Sequence, residues 1–228
     1  EYLEYVHRLP VEQYIQPNDT LSTILEDLYW RKVIFTSATR EHTQAVLGAL
    51  GIGHHFVRVF DIRDVGYVGK PAESAFRTVP GRKGRGLLGV SMGGYAALRV
   101  AFEEPGLAAA VATHSAMLLE TIPSAQQGAG RWHMAAFTRV FGDPIDPALW
   151  AANDPLAWAG KADPKAVPAL FVDCGAEDRY GLAGGHRALH RTLDERGIAH
   201  AFELPPGDHG YDFVRARLEK SLRFLGDA

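Results

Sequence analysis

The stretch Leu87-Leu-Gly-Val-Ser91-Met-Gly-Gly94-Tyr-Ala-Ala-Leu-Arg-Val-Ala-Phe-Glu103 decides the fold. Leu87 to Val90 is a short apolar run of the kind that forms a buried strand in a parallel sheet. From Gly94 to Glu103 the pattern is helical, and Pro105 stops it. The junction Gly89-Val-Ser91-Met-Gly93 is a G-x-S-x-G match. Alone, two glycines and a serine are a weak signal, equally consistent with a tight turn that carries no chemistry. A strand before and a helix after supply the context of a nucleophile elbow, which lifts the serine hydroxyl above the sheet edge. Flanking glycines let the backbones approach closely. The helix N-terminus favours an oxyanion, to which the Met92 N–H can donate.

A serine is a poor nucleophile at neutral pH and needs a base, itself oriented by an acid. In such sheets the order along the chain is serine, acid, histidine. Ala169 to Cys174 reads as a strand, and Asp178 follows it after the turn Gly175-Ala-Glu177. His200 to Leu204 reads as the last strand, and His209 follows it after Pro205-Pro-Gly-Asp208. Both stand at the C-terminal ends of strands, where parallel sheets place their sites. Asp178 is the preferred acid, with Asp173 and Glu177 as alternatives. Asp208 and Asp212 are too near the histidine to come from a neighbouring strand.

The remaining chain alternates in the same way. Thr20 can cap a helix with Leu21, Ile24, Leu25 and Leu28 on one face. Val33–Phe35, Val57–Phe60 and Leu107–Thr113 read as strands. Arg40–Leu50, Pro71–Val79, Gly185–Arg196 and Tyr211–Leu225 read as helices. The expected class is α/β, a three-layer, mostly parallel sheet. Residues 115–168 have no strong strand and hold Trp132, Trp150 and Trp158, as a cap over the sheet would.

From Gly86 on, the chain resembles the esterase D and S-formylglutathione hydrolase group of α/β-hydrolases. The carriers are Gly89 to Leu98, Val172-Asp-Cys-Gly-Ala-Glu-Asp178, Pro206-Gly-Asp-His-Gly-Tyr211, and Phe141-Gly-Asp-Pro through Asn153-Asp-Pro155. The resemblance implies nucleophile Ser91, acid Asp178 and base His209. Residues 1–80 instead resemble the haloacid dehalogenase superfamily, near its pyrimidine 5′-nucleotidase branch. Val33-Ile-Phe-Thr-Ser-Ala38, Leu50-Gly-Ile52 and Val68-Gly-Lys-Pro71 carry that likeness. There Thr36 and Lys70 would hold phosphate, but the family's Asp-x-Asp nucleophile motif and its later magnesium-binding acidic motif are missing. A phosphatase without them has no route to phosphoryl transfer. The segment is therefore expected to be scaffold, its strands extending the hydrolase sheet within one domain, with the Leu87–Val90 strand central. The N–H of Ser37, after the Val33–Phe35 strand, is the expected second oxyanion donor.

Composition excludes other classes. A net charge of −3 gives no electrostatic case for nucleic acid or a membrane surface. No apolar run approaches the ~20 residues of a membrane span. Glu1 to Arg8 lack a signal-peptide pattern, and the single Cys174 forbids an internal disulfide, which agrees with a cytoplasmic location. Cys174 reads as a small buried apolar residue. His186 and His190 share a helix face, but no third ligand is evident and no metal is expected. The expected partner is a small-molecule ester or thioester, hydrolysed without a cofactor. His114, Trp132 and Trp150 are the candidate pocket residues, the tryptophans being equally suited to packing within the cap. The alternatives are a dehalogenase-type phosphatase and a catalytically impaired fusion that binds a partner.

Overall fold

The structure is a computed structural model. It describes residues 10–67, 85–123 and 131–227, with the backbone alone at 131–133 and 136. The chain divides into two compact units, Glu1–Gly81 and Arg82–Ala228.

The first unit contains α1 (Asp19–Asp27), β1 (Lys32–Phe35), α2 (Arg40–Ala49) and β2 (Phe56–Phe60). The side chain of Asn18, not Thr20, caps α1 by accepting the Leu21 N–H at 2.9 Å. The helix thus begins two residues earlier than expected, and an Asx side chain serves its first turn. Thr39 caps α2, and Gly51 leaves it at φ 72°, a left-handed turn that glycine adopts freely. The two strands pair in parallel, from Lys32 opposite Phe56 to Phe35 opposite Phe60. Leu25, Leu47 and Ile52 form the buried cluster. Lys70, the segment 68–71 and the helix expected from Pro71 lie outside the described residues.

The second unit contains β3 (Gly86–Val90), α3 (Met92–Glu103), β4 (Ala110–His114), α4 (Arg131–Phe141), α5 (Pro147–Asn153) and α6 (Pro155–Ala159). It continues through β5 (Ala169–Asp173), α7 (Leu182–Glu195), β6 (His200–Glu203) and α8 (Tyr211–Asp227). The four strands form one parallel sheet in the order β3-β4-β5-β6. Alternation along a strand sends neighbours to opposite faces. Leu170 and Val172 of β5 pack in a cluster with Leu98 of α3 and Leu189 and Leu193 of α7, whereas Phe171 between them meets Phe224 of α8. Those two contacts define the three layers. Each fully buried leucine here stabilises the fold by about 1.5–3 kcal/mol.

Among the described residues the strands pair in two ladders, β1-β2 in the first unit and β3-β4-β5-β6 in the second. In the second ladder β3 stands at one end, and Leu88 and Val90 are 38% and 39% exposed. An apolar run signals burial of a strand on both faces, and here β4, buried along its whole length, is the strand that has it. β4 also begins at Ala110 rather than Leu107, because Pro105–Leu107 is a single 3-10 turn. The expected cap is helical where described: α4, α5 and α6, with Phe137, Phe141 and Trp150 as its own core. Among the described residues no helix is long and apolar enough to cross a membrane.

Candidate active site

Ser91 sits between β3 and α3 at φ 53°, ψ −117°. A non-glycine residue at positive φ is strained and persists only where its surroundings hold it. Here they do. The Ser91 N–H donates to the His114 carbonyl at the end of β4, and the Ser91 carbonyl accepts from Tyr95 and Met117, all at 3.0 Å. α3 begins at Met92, two residues before the expected start, so the Met92 N–H belongs to the first helical turn, whose amides lack intrahelical partners.

The glycines contribute unequally. A Cβ on Gly89 would stand 2.4 Å from the Gly93 carbonyl oxygen, and one on Gly94 would stand 2.8 Å from the Ala116 Cβ. A Cβ on Gly93 would meet nothing within 4 Å. The second glycine under steric demand is therefore the residue just outside the G-x-S-x-G pattern.

Asp178 and His209 meet at the tips of β5 and β6. Asp178 Oδ2 lies 2.8 Å from His209 Nδ1, and Asp178 Oδ1 accepts the Tyr180 N–H at 2.9 Å. The aspartate side chain is fully buried, while the imidazole is 16% exposed and the Tyr180 ring stands edge-on to it at 4.7 Å. A carboxylate on Nδ1 fixes the tautomer and leaves Nε2 for chemistry. Among the described residues Ser91 Oγ has no hydrogen bond to His209; such bonds are often loose in resting enzymes and tighten with substrate.

The rival carboxylates are occupied elsewhere. Glu177 accepts the Gly207 N–H at 2.6 Å. Asp173 is buried against His114 and Arg217. Asp208 accepts from Arg179 and from its neighbour's N–H, and the guanidinium holds its carboxyl far below the usual range.

Two glycines that the sequence did not single out join the acid and base loops. A Cβ on Gly175 would stand 2.2 Å from the Gly207 carbonyl oxygen. That close approach lets Ala176 N–H donate to Pro205 at 2.9 Å and Glu177 N–H to Gly207 at 3.0 Å. Their one readable signal was position: each lies just past a strand, ahead of the candidate acid or base.

Other expected site residues are placed differently. His114 does not line a pocket. It is 0% exposed, with Nδ1 2.7 Å from Asp173 and Nε2 2.9 Å from Ser221. The reason lies in strand parity, which turns His114 toward α8. Trp150 is buried in the cap between Phe137 and Phe141, so it packs rather than lines. Trp132 lies on α4, and its side chain is outside the described residues. Ser37 follows β1 in the first unit, where the Thr36 hydroxyl accepts the Ala38 N–H at 3.0 Å. His186 is buried, its Nδ1 on the Leu182 carbonyl, and burial pushes its pKa down; His190 takes a different partner, His200. Cys174 is fully buried, and burial followed by the charge of Asp178 pushes its thiol up to about 12. That thiol is no nucleophile at neutral pH.

The cap is fastened to the elbow helix. Tyr95 donates its hydroxyl to the Asn153 carbonyl at 2.6 Å, and Arg99 donates to the Asn153 side chain at 2.6 Å. A helix carrying a strained serine at its head is thereby held from behind.

Comparisons with known proteins bear on the family and the fold. The family model described as "Putative esterase" matches residues 71–225, more than half of the chain. The dehalogenase likeness of the preceding segment rests on its motifs alone. No curated protein matches the chain. Among solved structures, a fluorophosphonate-binding serine hydrolase of Staphylococcus aureus is 18% identical, over 93% of this chain and 91% of that one, with a TM-score of 0.55. An S-formylglutathione hydrolase of the same organism is 17% identical, over 90% and 85%, with a TM-score of 0.52. A ferulic acid esterase is 22% identical, over 64% and 52%, with a TM-score of 0.49, so the chain spans about half its length. At these identities the solved structures show the shared fold. The family match goes further: the chain belongs to that esterase family.

Proposed function

We propose that Ser91, His209 and Asp178 form a catalytic triad that hydrolyses small carboxylic esters or thioesters, with short acyl groups, through an acyl-enzyme. Ser91 Oγ attacks the carbonyl carbon while His209 Nε2 takes its proton. The Met92 N–H holds the oxyanion. The C–O or C–S bond breaks as His209 returns the proton to the leaving alcohol or thiol. Water then repeats the sequence on the acyl-serine and restores Ser91. Asp178 keeps its charge and steadies the imidazolium.

The observation that carries this reading is the 2.8 Å bond from Asp178 to His209 Nδ1, together with a strained serine at a strand-to-helix turn at the same C-terminal end of the parallel sheet. Hydrolysis of p-nitrophenyl acetate, set against p-nitrophenyl phosphate with and without magnesium, tests it. Acetate hydrolysis that Ser91→Ala abolishes is the expected result. Magnesium-dependent phosphate release, lost in Lys70→Ala, would favour the dehalogenase alternative instead.

A further inference from the structure

A second cluster lies at the other end of β6 from His209, where α7 hands the chain to the strand through Gly197 at φ 66°. His190 and Asp194 stand one turn apart on α7, and His200 opens β6. His190 Nδ1 lies 2.8 Å from His200 Nε2. Asp194 Oδ2 lies 3.5 Å from His190 Nε2, and Asp194 Oδ1 lies 4.0 Å from His200 Nε2. One ligand atom from each of the three falls within 4.8 Å of the other two.

The hydrogen bonds fix which nitrogen is available. His200 Nδ1 lies 2.8 Å from the Ile198 carbonyl, which only accepts, so Nδ1 carries a proton. In neutral His200 the lone pair is then on Nε2, turned toward His190 and Asp194. A ligating histidine characteristically donates its other ring N–H to a carbonyl or carboxylate in this way, which sets tautomer and orientation before the ion arrives. His200 is the rigid member, with its side chain 3% exposed. His190 is stacked on Phe202, with ring centres 4.2 Å apart and planes 14° apart, yet its side chain is 37% exposed. Asp194 is 62% exposed. Solvent therefore reaches the cluster, which gives an ion its entry path and a water for the remaining position.

The spacing suits a small divalent ion that prefers imidazole nitrogen. Around tetrahedral zinc, with Zn–N of about 2.0–2.1 Å, ligand atoms stand roughly 3.3 Å apart. One ligand atom from each residue lies within 4.8 Å of the other two, so small side-chain shifts bring the set to that spacing; the 2.8 Å and 3.5 Å contacts of His190 engage opposite ring nitrogens, of which an ion takes one. His190 must swing by about half an ångström and give up the proton shared with His200, and Asp194 needs a rotamer adjustment. Both have the room that partial exposure provides. Calcium and magnesium, which prefer all-oxygen shells, fit this donor set poorly.

We propose that His190, Asp194 and His200 bind a zinc-type transition-metal ion that staples the end of α7 to the start of β6. The site lies away from the strand tips that carry Asp178 and His209, so its role is structural and independent of the proposed triad. The test uses the full chain, stripped with a chelator, dialysed, and titrated with zinc by calorimetry and with cobalt by visible absorption. One ion per chain is expected, with a rise in Tm on zinc addition. His190→Ala should weaken binding by ~100-fold and Asp194→Asn by ~10-fold or more. Because His190 is partly exposed, its variant is expected to fold even if His200→Ala does not. His54→Ala/His55→Ala, an adjacent pair elsewhere, serves as the control and should bind zinc as wild type does. Unchanged zinc affinity in His190→Ala, loss in the control variant, or an absence of stoichiometric binding by the wild type would each overturn the site. Ester hydrolysis is expected to be the same with and without zinc.

Discussion

The second unit holds two constellations of serine, histidine and aspartate, and they differ in almost everything except residue type. At the strand tips, His209 has Asp178 on Nδ1, a partly exposed imidazole, and an elbow serine at the same C-terminal end of the parallel sheet. Inside the sheet layer, His114 has Asp173 on Nδ1 and Ser221 on Nε2, and all three are buried. The two histidine–aspartate distances, 2.8 and 2.7 Å, do not distinguish them. Access does. Ser221 donates its hydroxyl back to the Leu218 carbonyl on its own helix, and both nitrogens of His114 are taken. A nucleophile that cannot meet substrate and a base with no free nitrogen leave a polar strut, whatever their geometry. That strut still serves the elbow, because the His114 carbonyl holds the Ser91 N–H.

The largest separation between the two is expected in turnover. Ser91→Ala and His209→Ala should each lower ester hydrolysis by ~10⁴-fold or more, because triad members act as a unit. The thermal transition of both variants should stay near that of wild type. The two aspartates then divide cleanly. Asp178→Asn is expected to cost ~10³–10⁴-fold in kcat through loss of the correct tautomer, with Tm little changed. Asp173→Asn should instead lower stability, by roughly 3 kcal/mol, and leave activity per folded molecule nearly intact. That figure is toward the low end for a broken buried pair, since Arg217 keeps Glu203 as a partner. Chemical denaturation beside steady-state kinetics separates the outcomes, and a reversal of the two aspartates would exchange their roles.

Steric support of the elbow gives a smaller contrast. Gly94→Ala drives a methyl into Ala116 and should depress both stability and kcat, whereas Gly93→Ala should leave both close to wild type. The smallest effect belongs to the strut itself. Ser221→Ala removes the hydrogen bonds to His114 and to the Leu218 carbonyl and is expected to cost about 1–3 kcal/mol, with kcat within a factor of a few.

Much of this was legible in the sequence because it is local. The elbow, the turn to Asp178 and the turn to His209 each occupy a few consecutive residues after an apolar strand, and the structure has all three where the pattern put them. What escaped is what depends on which strands pair. The apolar run Leu87–Val90 reads as a strand, but nothing in one dimension gives its place in the ladder β3-β4-β5-β6. His114 ends a strand beside the elbow, and the pattern gave no means of telling which face its side chain takes; one step of register turns a pocket residue into a buried one. Asp194 and His200 likewise look unrelated until the Gly197 turn brings the helix end against the strand start. The sequence showed His186 and His190 one turn apart, and only packing separates them, burying the first and pairing the second with His200.

Covalent labelling tests the proposed triad most directly. Treated with a fluorophosphonate, the chain is expected to take one adduct, mapped by peptide mass spectrometry to Ser91. Labelling should fall at least ~10³-fold in rate in His209→Ala, while His114→Gln, corrected for any loss of folded protein, should label at close to the wild-type rate. An adduct at another residue, or a Ser91 that labels equally fast without His209, would contradict the assignment.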